Sequence, residues 1–304
     1  MTVTVIILTK NEAMHIERAI ASIATFADRC MVVDSGSTDN TVALAEAHGA
    51  QVVCNPWTNY ATQFNWALSQ LDSGTDWVLR LDADEIISEA LAEEIARGLS
   101  NVPAATAGIF LQRRMTFMGQ PIRYGGVFPL QVLRLFRYGA GRCENRWMDE
   151  HIIVDGPTQV FKGELLDDNL HGLTWWTDKH NHYASREVID LLNLEFGFIP
   201  HETVANLQER RQVGVKRWIK EHVYARLPGG SRAFLYFLYR YVIRFGFLDG
   251  KNGTAFHVLQ GFWYRYLVDA KITEVRSYMQ KTRKSAPEAI KHVLGIDVSA
   301  QKDD

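Results

Sequence analysis

The sequence predicts an α/β fold, with a doubly wound sheet followed by a helical extension. Four short apolar runs alternate with helical patterns over the first third of the chain. Polar or acidic residues follow these runs, and the last third of the chain is helical in pattern and rich in aromatic residues. Open sheets of this type bind ligands beyond the carboxyl ends of their strands. We therefore expect the functional site at that edge.

The four apolar runs have the β-branched composition of strands that are buried on both faces. These strands are predicted at residues 3–8, 31–33, 51–54 and 76–81. Helices are predicted at residues 13–24, 40–48, 60–71 and 88–99. Further strands, joined by long loops, are predicted at residues 107–117, 132–136 and 151–154, so a mixed sheet is expected.

The composition favours one or two globular domains with a substantial core, since 47% of the 304 residues are hydrophobic and 22% are charged. Three cysteines without paired spacing indicate a reducing compartment, with neither a disulfide nor a zinc site. No basic leader precedes the apolar run at residues 3–8, so a signal peptide is not indicated. We therefore expect a cytoplasmic protein.

Charge is distributed unevenly along the chain. Residues 1–200 hold 15 Lys or Arg against 25 Asp or Glu, whereas residues 201–300 hold 17 against 8. A basic segment of this kind fits an anionic surface, and its aromatic content favours phospholipid over nucleic acid. Residues 231–248 are interpreted as a basic amphipathic helix, and residues 231–270 as a membrane-surface segment. The alternative is packing against the main domain or a second subunit, which leaves a homo-oligomer open.

Asp82 and Asp84 follow the fourth predicted strand, where side chains alternate between faces. Both carboxylates are therefore expected on one side, with Ala83 pointing inward. The two negative charges would repel each other without a cation. A bound Mg²⁺ or Mn²⁺ would offset this repulsion and leave coordination positions for phosphates. The alternative is that both residues cap the helix predicted to begin near Ser88.

Polar residues at the ends of the first two strands point to a nucleoside. Thr9, Asn11 and Glu12 follow strand one, and Asp34 follows strand two. A carboxylate at such a strand end can accept from a base N–H or a ribose hydroxyl. Helix capping by these turns is the alternative. Neither turn has the glycine pattern of a dinucleotide-binding or P-loop motif.

Three motifs, in order and spacing, resemble family 2 glycosyltransferases of the GT-A fold. They are residues 7–12 (ILTKNE), 32–41 (VVDSGSTDNT) and 81–85 (LDADE), and the match covers the first 100 residues. Residues 147–151 (WMDEH) and 244–250 (RFGFLDG), followed by Gly253, resemble a bacterial branch that includes lipopolysaccharide core β-1,4-glucosyltransferases.

The resemblance implies an inverting transfer from a nucleotide diphosphate sugar, with a UDP-sugar favoured. Residues implied to contact the donor are Thr9, Asn11, Glu12, Asp34, Gln63 and Asp82, with Gln63 where many relatives carry an arginine for the pyrophosphate. Residues implied to bind Mg²⁺ or Mn²⁺ are Asp84, Asp82 and the late histidine, His171.

Inversion needs a carboxylate that takes the proton of the acceptor hydroxyl. Glu150 is the choice, because the resembled branch usually has its acidic residue at that position, often after histidine. This chain has Asp149 in place of that histidine, so Asp149 as the base, with Glu150 as its partner, stays open. Solvated surface is the alternative for such an acidic pair.

The predicted acceptor is a lipid-linked or lipopolysaccharide molecule, reached by a protein that is peripheral on the inner face of the cytoplasmic membrane. We divide the chain into a donor half (1–100), an acceptor half (101–173) and a helical amphipathic extension (174–304). Two other functions are considered. A sugar nucleotidyltransferase needs a glycine-rich loop after strand one, which is absent; a catalytically silent membrane adaptor does not need Asp34, Asp82 and Asp84.

Overall fold

The computed structural model describes residues 1–144, 150–199 and 230–298. Within these ranges the chain forms two compact units, one made of residues 1–144 and 150–170, the other of residues 171–199 and 230–298. Asp149 and part of the predicted helical extension lie outside the described residues.

The first unit is built on a mixed sheet with strand order β3-β2-β1-β4-β8-β6-β11-β5, and β7 pairs with β6. The central strands β1, β2, β3 and β4 run parallel, whereas β8 runs antiparallel to both β4 and β6. The strands are β1 (Val3–Thr9), β2 (Arg29–Asp34), β3 (Gln51–Cys54), β4 (Trp77–Asp82), β5 (Glu85–Ile87), β6 (Gly108–Phe117), β7 (Gln120–Pro121), β8 (Leu130–Arg137), β9 (Gly141–Cys143), β10 (Ile152–Val154) and β11 (Thr158–Asp167). Strands β9 and β10 form a separate ribbon.

Helices cover both faces of this sheet, as predicted from the apolar composition of its strands. They are α1 (Ile16–Ile23), α2 (Thr41–Ala47), α3 (Tyr60–Ser69) and α4 (Glu89–Gly98). In β1, Val5 and Ile7 belong to one core cluster and Ile6 to another, so successive side chains serve opposite faces. The prediction of a mixed, doubly wound sheet is confirmed.

Strand β11 was not predicted, although it pairs with both β6 and β5. It has few of the β-branched residues typical of strands, and its last residue is the acidic Asp167. Its alternating pattern, with Phe161 and Leu165 buried, was the available signal.

The second unit contains helices α5 (Leu173–Phe196), α6 (Ser231–Leu238), α7 (Gly250–Phe256), α8 (Tyr264–Thr282) and α9 (Ala286–Leu294). Their core joins Val188 and Leu192 of α5 to Val268 and Ile272 of α8, at the four-residue spacing of one helical face. Among the helices of the described ranges, none has the length and apolar character that crossing a bilayer would require.

The prediction of one amphipathic helix over residues 231–248 is wrong. Helix α6 continues only as a π-helical turn, Tyr239–Ile243, and Phe245 then adopts a left-handed conformation with φ 59°. The chain continues as a 3-10 turn, Gly246–Asp249. Arg240 is buried and donates to Gln260, so it does not belong to an exposed basic face.

Candidate active site

The carboxyl ends of three neighbouring strands bring Thr9, Asp34 and Asp82 to one edge of the sheet. Thr9 lies opposite Asp34 in the register of β1 and β2, and Leu8 lies opposite Asp82 in the register of β1 and β4. The three residues therefore lie at the same edge of the sheet, as predicted. Their contacts with a ligand stay a prediction.

Asp34 organises the turn that follows β2. One carboxylate oxygen accepts from Thr9 Oγ1 at 3.0 Å and from Ser37 Oγ at 2.5 Å. The other accepts from the backbone N–H groups of Gly36 and Ser37 at 2.9 and 2.8 Å. Asp34 is almost fully buried, so its direct effect is to fix this turn in place.

Hydrogen bonds join the turn after β1 to the turn after β2. Asn11, in a left-handed conformation that asparagine tolerates, accepts from the Thr38 N–H at 2.8 Å. The Glu12 N–H donates to Thr41 Oγ1 at 2.7 Å. The two turns thus form one structured rim beyond the strand ends.

Glu12 is also paired with a buried histidine. His15 Nδ1 lies 2.6 Å from Glu12 Oε2, and the Leu170 N–H donates to His15 Nε2 at 3.0 Å. Because a backbone N–H can only donate, Nε2 is the acceptor, and the ring proton is assigned to Nδ1, which donates to Glu12. His15 therefore links the Glu12 carboxylate to the backbone of Leu170, which follows β11, and this holds Glu12 in one orientation.

Asp82 is surrounded by cationic and polar partners. Its oxygens accept from Tyr60 Oη at 2.6 Å and from Arg134 Nη2 at 2.8 Å, and Arg80 Nε lies 3.6 Å away. Burial opposes its ionisation, but Arg134 and Arg80 together lower the pKa of Asp82 well below its usual range. Two arginines therefore already supply positive charge to Asp82, and its predicted contact with a metal ion stays a prediction.

Asp84 has a different environment from Asp82. Both are partly exposed and Ala83 between them is buried, as predicted, but residues 83 and 84 form a turn after β4 and not the extended segment that was expected. Asp84 Oδ2 accepts from Asn169 Nδ2 at 2.8 Å. Its Oδ1 makes no hydrogen bond or ion pair within residues 1–144, 150–199 and 230–298. One oxygen is thus oriented and the other is available.

A buried ionic cluster lies behind these two residues. Arg134 Nη2 also donates to Glu85 at 2.6 Å, Arg113 lies 3.6 Å from Glu85, and Arg113 pairs closely with Asp167. Burial raises the pKa of Glu85 against the attraction of Arg134, and nearby Asp82 raises it further. Burial likewise raises the pKa of Asp167, while Arg113 opposes that effect.

Gln63 links helix α3 to two loops. Its Nε2 donates to Ser35 Oγ and to the Asn55 carbonyl, each at 3.0 Å, and its Oε1 accepts from Asn55 Nδ2 at 2.7 Å. The side chain is 1% exposed. The structure therefore gives Gln63 a supporting role, and its predicted donor contact would need these bonds to rearrange.

Glu150 follows the undescribed residues 145–149 and is partly exposed. Arg80 Nη1 donates to its backbone carbonyl at 3.0 Å, and the Arg80 guanidinium stacks over the Tyr60 ring at 4.1 Å. A single buried arginine thus connects Glu150 to the residues that hold Asp82. This contact positions Glu150 and leaves its catalytic role a prediction.

His171 is the first described residue of the second unit, and its ring stacks on Trp175 with the centroids 4.1 Å apart. Its assignment as a metal ligand stays a prediction.

The family model for glycosyl transferase family 2 matches residues 4–168, which is more than half of the chain. The chain belongs to glycosyl transferase family 2. An uncharacterized glycosyltransferase of Rickettsia bellii is 48% identical over 93 residues, which are 31% of each chain. The lipopolysaccharide core biosynthesis glycosyltransferase LpsC of Rhizobium meliloti is 31% identical over 49% of this chain and 56% of its own length. The matches thus span about a third to about half of these relatives.

A solved structure extends the likeness beyond the first unit. The mannosyltransferase PcManGT of Pyrobaculum calidifontis, solved with GDP-Man and Mn²⁺, is 14% identical with a TM-score of 0.51. The similarity covers 89% of this chain and 86% of that one. At this identity it shows the fold alone, and it confirms the predicted GT-A fold with a helical extension. The resemblance to family 2 is confirmed by the family match.

Several residues around Asp82 were not found from the sequence, namely Tyr60, Glu85, Arg113, Arg134 and Asp167. Arg134 lies within the strand-like apolar run at residues 132–136, and a charged residue there is costly to bury unless it is paired. That pattern indicates buried partners without identifying them. The register of β4, β8, β6 and β11 supplies the identification.

Proposed function

We propose that this protein transfers one sugar from a nucleotide diphosphate sugar to a hydroxyl of a lipid-linked or lipopolysaccharide acceptor, with inversion at the anomeric carbon. Family membership and the likeness to LpsC support this proposal. The observation that carries it is Asp84, a partly exposed carboxylate beyond strand β4 with one oxygen oriented by Asn169.

The rim made by the turns after β1 and β2 is proposed to bind the nucleoside of the donor, with a UDP-sugar favoured. Thr9, Asn11, Glu12 and Asp34 all contribute to that rim. Because Asp34 and Asn11 are engaged in fixing the turns, their contribution is a preformed shape, which lowers the cost of ordering the site on binding.

The donor set fits a hard divalent cation, Mg²⁺ or Mn²⁺, because Asp84 offers a carboxylate oxygen that no described residue uses. When bound, such an ion supplies neutralising charge to the diphosphate leaving group. Asp82 has both oxygens engaged by Tyr60 and Arg134, so we assign the ion to Asp84 first. Asp82 as a second ligand would have to give up one of those bonds.

Glu150 is proposed as the general base, with Asp149 as the alternative. The base takes the proton of the acceptor hydroxyl while that oxygen bonds to the anomeric carbon from the face opposite the diphosphate. The bond from the anomeric carbon to the diphosphate breaks, and its electron pair leaves with the diphosphate. The hydrogen bond from Arg80 to the Glu150 carbonyl supports this assignment, because it holds the Glu150 backbone close to the residues around Asp82.

The remaining parts of the proposal concern organisation and location. Residues 1–100 form the donor half, residues 101–173 the acceptor half, and residues 174–304 the extension that meets the membrane. The protein would then act as a peripheral enzyme on the inner face of the cytoplasmic membrane. Exposed apolar residues of the second unit support this location.

The test is a thermal-shift panel of UDP-, GDP- and dTDP-sugars with and without Mn²⁺, applied to the wild type, Asp84→Asn and Glu89→Gln. We expect one nucleotide with Mn²⁺ to stabilise the wild type, by about 2.7 kcal/mol at roughly 100 times its dissociation constant. Glu89 is an exposed carboxylate of helix α4, so its variant should behave as the wild type. Asp84→Asn should lose the part of this stabilisation that depends on Mn²⁺. Wild-type sugar transfer that persists in EDTA would contradict the metal assignment.

A further inference from the structure

An exposed apolar turn follows helix α6, and we call residues 242–248 the apolar turn. Five of its seven residues are large, apolar and between 46% and 64% exposed, namely Val242, Ile243, Phe245, Phe247 and Leu248. Exposed apolar residues are ordinary when they are scattered, whereas a contiguous group marks an interaction site.

The backbone of the apolar turn is ordered by its own hydrogen bonds. The Arg244 N–H donates to the Tyr239 carbonyl at 2.9 Å, and the Leu248 N–H donates to the Phe245 carbonyl at 2.9 Å. Between these bonds Phe245 occupies the left-handed region, which is unfavourable for phenylalanine. The exposed side chains are therefore presented by a defined, locally strained turn.

Buried polar residues and close-packed glycines support the apolar turn from beneath. A Cβ on Gly246 would lie 2.7 Å from His257 Nε2, and a Cβ on Gly253 would lie 2.0 Å from Asp249 Cβ. His257 and Asp249 are buried and joined by a 3.2 Å contact. This packing leaves the turn little freedom to fold its apolar side chains inward.

Two cations accompany the apolar turn. Arg244 and Lys251 are exposed, and within the described parts of the chain neither makes a hydrogen bond or ion pair through its side chain. By contrast, Arg232 pairs with Asp269, and Arg265 pairs with Glu187. Within residues 242–251, Arg244 and Lys251 therefore carry positive charge that no acidic side chain of the described residues pairs.

The apolar turn by itself is small for a stable protein interface. A buried aromatic side chain covers about 150–250 Å², so five half-exposed side chains of aromatic size or smaller would bury roughly 400–600 Å². A standard protein interface needs about 800 Å² from each partner. A lipid surface has no such minimum, and it combines an apolar interior with anionic headgroups that match the two cations.

We propose that the apolar turn inserts into an anionic lipid surface, with its five apolar side chains at the acyl boundary and with Arg244 and Lys251 on the headgroup phosphates. This inference deepens the membrane part of the proposed function and replaces the amphipathic helix with a preformed turn. Lipid binding by the apolar turn does not depend on the donor site, so experiments can reject one proposal without rejecting the other.

The test compares Phe245→Asn with Phe196→Asn by co-sedimentation of the full chain with phosphatidylcholine vesicles, with and without phosphatidylglycerol. Asparagine tolerates the left-handed conformation, so Phe245→Asn removes the ring without straining the turn. Phe196 is also half-exposed and is the last residue of helix α5. We expect Phe245→Asn to weaken binding to the anionic vesicles about tenfold, and Phe196→Asn to leave it unchanged.

Two charge variants and the oligomeric state test the proposal further. Arg244→Gln and Lys251→Gln should each weaken binding to the anionic vesicles about fivefold and lower its salt dependence. Thermal stabilisation by UDP and Mn²⁺ should be the same in Phe245→Asn and the wild type, so a failed donor site is recognised independently. Absence of wild-type vesicle binding, or equal binding by Phe245→Asn, would overturn the proposal. So would a wild-type dimer that Phe245→Asn dissociates, because a second copy would then be the occupant.

Discussion

The sheet edge of the first unit and the apolar turn of the second depart from the usual distribution of residues in opposite ways. The sheet edge holds buried or partly buried charged groups, and each of Asp82, Glu85 and Asp167 has an arginine within 4 Å. The apolar turn exposes hydrophobic groups above a buried, glycine-packed base. Both arrangements cost free energy of folding, which is usually tolerated where a surface or a site has a function.

The difference between the two regions concerns what their side chains do for stability. At the sheet edge, each carboxylate lies beside at least one arginine, so removing an arginine leaves a carboxylate with weaker compensation of its charge. In the apolar turn, the exposed side chains have few neighbours, so their removal should change binding and little else. Four substitutions test this contrast, from the largest expected effect to the smallest.

Arg134→Met should have the largest effect on stability. It leaves Asp82 and Glu85 without their shared guanidinium, and breaking a buried pair in this way typically costs about 3–5 kcal/mol. The measurement is the free energy of unfolding in urea. Arg29→Met, which removes an exposed pair with Asp72, is the control and should change stability little. Equal, small effects would mean that the sheet edge does not depend on its ionic cluster.

Asn169→Ala should lower the affinity of the site for Mn²⁺ without unfolding the protein. Asn169 orients Asp84, and loss of such an orienting bond typically lowers metal affinity about 10- to 100-fold. The measurement is the Mn²⁺ concentration for half-maximal sugar transfer, with turnover at saturating Mn²⁺ largely retained. Asn101→Ala removes an exposed asparagine and serves as the control. An unchanged Mn²⁺ concentration for half-maximal transfer would indicate that Asp84 does not bind the metal ion.

Glu85→Gln should change the pH dependence of stability. Burial raises the folded pKa of Glu85 above its unfolded value of about 4.3, so the native state holds this proton more tightly. The corresponding stability is present below pH 4 and is lost as the pH rises through the folded pKa. Unfolding free energies measured from about pH 4 to 8 should therefore decline less in the variant than in the wild type. Parallel curves would argue that Glu85 stays ionised throughout.

Phe245→Asn should have the smallest effect on stability and should raise it, by about 1 kcal/mol or less, because asparagine relieves the left-handed strain. Phe256, which is buried, gives the contrast, since Phe256→Ala should cost about 3–5 kcal/mol. Both are measured by urea unfolding. A large loss in Phe245→Asn would show that its ring supports the fold and is not held out for a partner.

The sequence alone determined the strands and the edge at which function is expected. Apolar, β-branched runs identify strands that are covered on both faces, and carboxyl ends of parallel strands meet whatever the details of packing. Thr9, Asp34, Asp82 and Asp84 were therefore placed correctly relative to the sheet. The burial of Ala83 between two partly exposed carboxylates was also expected, but it arises in a turn after β4 and not in an extended segment.

Only the tertiary structure decided which charges neutralise each other. Arg134 reaches Asp82 across 52 positions of sequence, and Arg113 reaches Asp167 across 54, because antiparallel β8 lies between β4 and β6 and β11 lies beside β6. Likewise, the helical period of residues 231–248 gave no sign that the helix would break before Gly246 and bury Arg240. Local patterns report which face a side chain occupies, but pairing partners depend on strand register and on packing between distant segments, which no local pattern encodes.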